Sequence, residues 1–149
     1  MSLLKKIDEE LKRAMKASDS LKVSVLRLTK TALKNKQIDK GQELSDDEII
    51  STISTLSKQR RESIELFSKG GREDLAEKER QELAILQSYL PKQLTLEELD
   101  AIIIEAIKES SAGGLKEIGK VMRLVMQRVK GAADGKIVNQ RVKELLEKM

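Results

Sequence analysis

Tyr89-Leu90-Pro91-Lys92-Gln93-Leu94-Thr95-Leu96-Glu97-Glu98 is the stretch on which the fold turns. Pro91 is the only proline in 149 residues. Its ring pushes the preceding residue out of the α region, so a helix should end before it. Four residues on, Thr95 can cap a new helix while Glu98 returns a bond to the cap's own amide, the reciprocal capping box. The stretch reads as helix end, extended connector and helix start. It predicts a helical domain over 1–90, a linker over 91–94 and a second helical domain over 95–149.

Upstream, apolar residues recur at the i, i+3, i+4 spacing of helices with one buried face. Leu4, Ile7, Leu11 and Ala14 or Met15 mark a first helix, and Ser18-Asp19-Ser20 interrupts it and caps the next. In that second helix Leu21, Val25, Leu28 and Ala32 are expected inward, flanked by Leu26 and Leu33, and Lys40-Gly41 ends it. Ser45-Asp46-Asp47-Glu48 is another capping box. It opens a third helix through Ile49, Ile53, Leu56, Arg60, Ile64 and Phe67, which stops at Gly70-Gly71. A fourth starts near Arg72-Glu73-Asp74 and buries Leu75, Leu83, Leu86 and Leu90 around Tyr89.

Downstream of the linker, a helix buries Leu99, Ile102, Ile103 and Ala106 and ends over Ser110 to Gly114. The next is expected from Leu115 to Lys130 with Ile118, Met122, Val125 and Val129 inward. Asp134 then caps a last helix that buries Val138, Val142 or the stem of Arg141, Leu145 and Met149. Leu28, Ile53, Leu86, Ile103 and Val125 sit mid-stripe and should be nearly fully buried. The composition agrees with an all-α class of four helices followed by three. Hydrophobic residues make up 39% but are almost all aliphatic, Phe67 and Tyr89 being the only aromatics.

Cysteine and histidine are both absent. That excludes disulfides, thiolate metal sites and thiol nucleophiles, and removes the commonest general base and metal ligand. No metal, no cofactor and no catalytic residue is expected. The acids of Asp46-Asp47-Glu48 and Glu97-Glu98 follow helix caps, where the helix dipole accounts for them. Gly70-Gly71 lacks the lysine of a phosphate loop, and Gly113-Gly114 is spaced wrongly for a dinucleotide fingerprint. No apolar run approaches the roughly 18 residues of a membrane span, and the charged stretch 1–16 is unlike a signal peptide. A soluble, cytoplasmic protein with no membrane contact is the expectation.

The net charge of +4 is mild, and its distribution says more than its sum. Residues 1–44 hold 11 basic and 6 acidic groups; residues 115–143 hold 8 basic groups against Glu117 and Asp134 alone. Lys116, Lys120, Arg123, Gln127 and Lys130 follow a 4, 3, 4, 3 spacing that puts them on one polar stripe opposite the apolar one, and Lys136, Asn139, Arg141 and Lys143 follow nearby. Such a stripe is either an ordinary solvated helix face or a surface for phosphates or an acidic partner. Lys58, Arg60 and Arg61, facing Glu62 and Glu65, read as a solvated face with pairs along the helix. Neither aromatic lies near the stripe, so nucleic acid would be held by phosphate charge and shape rather than by base stacking.

Several segments together resemble the YqeY-like family, whose C-terminal part is similar to the tail domain of the GatB subunit of bacterial glutamyl-tRNA amidotransferase. They are Gly70-Gly71-Arg72-Glu73-Asp74-Leu75-Ala76-Glu77-Lys78-Glu79, Tyr89-Leu90-Pro91-Lys92-Gln93-Leu94, Gly119-Lys120-Val121-Met122, and 129–139, Val129-Lys130-Gly131-Ala132-Ala133-Asp134-Gly135-Lys136-Ile137-Val138-Asn139. The resemblance implies a three-helix tail that contacts tRNA, with a translation-related protein as a further partner. The family pattern usually has a basic residue where this chain has Ala132, so the implied phosphate contacts rest on Lys120, Lys130, Lys136 and Asn139. Nothing here resembles the relative's transamidation site, so its label of glutamine-dependent carbon–nitrogen ligase extends to this chain by relationship only. Three readings follow: a tRNA-binding accessory protein, a helical adaptor for an acidic protein partner, and a component of glutamine-dependent amidation.

Overall fold

The computed structural model describes residues 2–148, and all regular structure among them is helical. The chain divides into two compact units, residues 1–90 and 91–149. In the first, α1 (Leu3–Lys16) starts on the hydroxyl of Ser2, and α2 (Ser20–Lys40) starts on the carboxylate of Asp19. The exit from α2 is left-handed at Gly41, φ 75°, which glycine adopts without penalty. α3 (Asp46–Lys69) opens with the full Ser45–Glu48 capping box, and α4 (Glu73–Gln87) follows a tight turn at Gly70-Gly71.

Ile7 and Leu11 of α1, Val25, Leu26 and Leu33 of α2, Ile49 and Ile53 of α3, and Leu86 and Tyr89 form the core of this unit. Tyr89 donates its hydroxyl to the Glu10 carboxylate and takes the Lys6 ammonium over its ring, 5.6 Å from the centroid. Burial, and secondarily that hydrogen bond, push its phenol well above the usual range.

Ile53, Leu86, Ile103 and Val125 are buried as expected, but Leu28 is not: it is 55% exposed. The buried face of α2 is Val25, Leu26, Thr29 and Leu33. Thr29 is 1% exposed and its hydroxyl bonds the Val25 carbonyl at 2.8 Å, so its polar group is satisfied inside the helix. A count of apolar residues alone skips this position and rotates the face by about one residue, roughly 100°. Met15 and Leu4 are likewise turned outward, at 50% and 37% exposure.

Arg60 also departs from the expected solvated face. Its guanidinium lies 3.3 Å from Glu79 and 3.2 Å from Glu82 of α4, and Glu82 is buried. The pairing runs between helices rather than along one. Leu75, Leu83 and Leu90 are only half-buried, and Ala76 is fully buried.

In the second unit α5 (Leu96–Ser110) opens with the Thr95–Glu98 capping box. The helix expected over Leu115–Lys130 is divided: a 3₁₀ turn at Leu115–Glu117 leads into α6 (Ile118–Val129), and Lys130 caps it in a left-handed conformation, φ 33°. α7 (Gly135–Glu147) starts on Asp134, whose carboxylate accepts from the Lys136 amide at 3.0 Å. Leu99, Ile103, Ala106, Val121, Val125, Val129, Val138, Val142 and Leu146 form the core. Val121 is buried while Ile118 and Met122, expected inward, are half-buried, as is Leu145; Met149 lies outside the described residues. The segment after Pro91 is held to this unit: the Leu94 amide bonds the Ala132 carbonyl at 2.8 Å, and the Gln93 side chain bonds the Gly131 carbonyl at 3.0 Å.

Candidate nucleic-acid interface

α6 sets the basic stripe by its own geometry. Val121, Val125 and Val129 recur every four residues and are buried, so Lys120, Arg123 and Gln127 stand on the opposite side, all exposed. Lys116 is exposed on the 3₁₀ turn that precedes them. Lys130 is exposed as well, but its left-handed backbone takes it off the helical spacing and into the turn toward α7.

On α7 the buried face is Val138, Val142 and Leu146. Lys136, Asn139 and Lys143 are exposed. A Cβ added at Gly135 would stand 3.8 Å from the Met126 methyl, so the first turn of α7 runs close past the exposed flank of α6. Lys136 follows Gly135 in that turn, next after the stripe in the sequence. Arg141 is not brought to it. Its guanidinium grips Asp100 of α5 through two bonds, 2.9 and 2.6 Å, and Glu144 through a third at 2.6 Å. These contacts, the Asp100 hydrogen bonds foremost, hold it still more firmly protonated.

The electrostatics follow from where the acids go. Asp100 and Glu144 are turned onto Arg141, and Glu109 onto Arg128. Lys116, Lys120, Arg123, Lys136 and Lys143 have no ion-pair partner among the described residues. Asp100, Glu109 and Glu144 thus neutralise two structural arginines, while these five cations stay exposed to solvent. No group of three or more metal-ligating residues occurs among the described residues, and no described helix is long and apolar enough to cross a membrane. Gln93 escaped the sequence reading because a lone polar residue in a connector carries no periodic signal; it buttresses the turn that carries Lys130.

The profile of a family described as "Yqey-like protein" matches residues 4–146. The chain is also similar to fungal proteins named "Altered inheritance of mitochondria protein 41, mitochondrial". It is 36% identical to that of Kluyveromyces lactis over 107 residues, 69% of this chain and 57% of the relative. For Vanderwaltozyma polyspora the values are 41% over 85 residues, 56% of this chain and 46% of the relative. For Pyrenophora tritici-repentis they are 29% over 147 residues, 97% and 81%. The chain thus spans about half the length of several of the curated relatives it matches. The expected cytoplasmic location is overturned, because relatives at 29–41% identity are named as mitochondrial proteins. A cysteine-free chain with a charged start does not distinguish the two compartments.

Proposed function

The chain belongs to the YqeY-like family, and from that premise we propose that it is a tRNA-binding accessory protein whose second unit lies on the phosphate backbone. Lys116, Lys120, Arg123, Lys130 and Lys136 make the contacts, with Asn139 and Lys143 at the edge. The observation that carries this reading is that Lys116, Lys120, Arg123 and Lys136 have no ion-pair partner among the described residues while Arg128 and Arg141 are neutralised. The resemblance to the GatB tail supplies the substrate class. With Phe67 and Tyr89 both in the other unit, recognition is by charge and shape, not by stacked bases.

Binding of this kind releases condensed counterions. With about five phosphates neutralised, affinity falls roughly 100-fold between about 50 and 200 mM salt. The test is a binding assay with total tRNA, with double-stranded DNA as the control. Salt-dependent binding that prefers tRNA supports the reading, and no binding at low salt ends it. The names of the fungal relatives direct the search for that tRNA to mitochondria. Chemistry on the tRNA is assigned to a partner enzyme, so the purified chain alone transfers no amide to a misacylated tRNA.

A further inference from the structure

The strongest feature outside the stripe is the outer face of α2. Ser20, Ser24, Arg27, Thr31, Lys34 and Ile38 follow a 4, 3, 4, 3, 4 spacing and all are exposed. The helix holds Lys22, Arg27, Lys30, Lys34, Lys36 and Lys40 against the single acid Asp39. Lys30 and Lys40 are paired with Asp8 and Glu48. Arg27 and Lys34 have no ion-pair partner among the described residues. At the start of this face lies an open groove of about 620 Å³ lined by Met15, Ser18, Ser20, Val23, Ser24, Arg27 and Leu28.

Leu28, expected inward, and Met15, the alternative to the buried Ala14, are half-exposed walls of this groove, at 55% and 50%. Exposed apolar side chains gathered inside a polar rim mark a surface that a partner covers. No acid lines it, and Asp19, between the lining residues Ser18 and Ser20, has its carboxylate on the Lys22 amide at 3.2 Å. The rim is therefore positive and hydroxyl-rich over an aliphatic floor.

We propose that this groove docks an acidic amphipathic helix of a partner protein. The helix's apolar residues sit on Met15, Val23 and Leu28, and its carboxylates pair with Arg27 and, about two helical turns on, Lys34. Charge complementarity selects acid over base, since a guanidinium holds a carboxylate through two parallel bonds. The aliphatic floor of Met15, Val23 and Leu28 selects a protein over nucleic acid, because a phosphate backbone offers no apolar side chains to cover it. A flexible methionine at the wall suits a helix presented at i, i+3, i+4, i+7. The proposal is independent of tRNA binding by the other unit.

The chain's own methionines report the outcome: Met15 is in the groove, and Met122 and Met126 are on α6. Full-length protein labelled with ¹³C at the methionine methyls is titrated with a synthetic leucine–glutamate amphipathic helix. Controls are a shuffled peptide of the same composition, a leucine–lysine counterpart, and total tRNA. The Met15 methyl should move with the first peptide alone, Met122 and Met126 staying in place. Arg27→Glu and Leu28→Ser should each weaken binding about tenfold, with helical circular dichroism unchanged because both residues are exposed. Ser24→Glu, on the rim only, should weaken it too. Lys116→Ala with Lys120→Ala should bind the peptide normally, which separates this site from the tRNA surface. Equal binding of the shuffled or lysine peptide, movement of Met126 instead of Met15, tRNA moving Met15 as strongly, or no movement at all would each overturn the proposal.

Discussion

The two units spend their charges differently. In the first, several cations, lysines among them, are tied to acids on neighbouring helices or turns: Lys30 to Asp8, Arg60 to Glu79 and Glu82, Lys40 to Glu48, Arg80 to Glu73 and Glu77. In the second, the pairs between helices are made by Arg128 and Arg141, while lysines dominate the open face. Within the second unit the division largely follows the side chains. A guanidinium fits a carboxylate in a fixed fork and tolerates partial burial, whereas an ammonium on a flexible stem stays hydrated and mobile. Counting charges per segment, which gave both regions a positive excess, cannot see this. What matters is which cations the fold has already neutralised.

The comparison breaks first if the cores are not separate. Ile53→Ala and Ile103→Ala each remove a fully buried side chain, so each should cost about 2–4 kcal/mol through lost transfer energy and a residual cavity. If the units fold independently, calorimetry should show the first change lowering only the transition of residues 1–90 and the second only that of 91–149. Leu28→Ala, on the exposed face of α2, should stay within about 0.5 kcal/mol. One shared transition shifted equally by both isoleucine changes would mean a single cooperative core.

The neutralised cluster between α3 and α4 is the next test. Arg60→Ala leaves Glu82 buried without its cation, which should cost about 2 kcal/mol in denaturant unfolding. Adding Glu82→Leu should restore most of the loss, because an apolar pair of similar volume needs no partner. Failure of the second change to restore stability would show that the cost comes from packing of the arginine stem instead.

The open face should behave in the opposite way. Lys116→Ala with Lys120→Ala should leave melting nearly unchanged, since exposed lysines contribute little. The same pair should flatten the salt slope of tRNA binding by about two contacts. Lys58→Ala with Lys78→Ala, exposed lysines of the first unit, should change the slope less. Equal losses from both pairs would mean diffuse attraction rather than a site.

Much of this was legible in the residues. Pro91 and the two capping boxes locate the helix ends because they act through local backbone chemistry. The apolar period finds most of the buried faces of α1 and α5 because Ile7, Leu11, Ala14, Leu99, Ile103 and Ala106 are aliphatic or alanine, but it misses the buried Ser110 and the outward turn of Leu4. It fails on α2, where Thr29 satisfies its hydroxyl on its own helix and so occupies a core position that polarity denies it. It fails on Arg60 and Arg141 because their partners lie 19 to 41 residues away, and no spacing within one helix encodes that. The stripe itself was legible, but the loss of Arg141 from it and the turning of Lys130 at φ 33° were tertiary facts.

The smallest effect separates the two capping boxes. They share one geometry, Ser45 with Glu48 and Thr95 with Glu98, but only Glu48 also receives a lysine, Lys40. That hydrogen bond is the first cause, with the Ser45 amide second, of a carboxyl held down to about 2 from its ordinary 4.5. Glu98 is lowered too, chiefly by the Thr95 amide, with no lysine hydrogen bond. A depressed carboxyl contributes stability that is fully present above its unfolded value, about 4.5, and disappears as pH falls through its folded one. Glu48 therefore supports the start of α3 down to lower pH than Glu98 supports the start of α5. Both are exposed, so solvent keeps the effects small. Carboxyl ¹³C titrations between pH 6 and about 2 should show the Glu48 midpoint below that of Glu98, and Lys40→Ala should raise the first while leaving the second unmoved. Coincident midpoints in the unaltered protein would remove Lys40 from the box and leave the two caps equivalent.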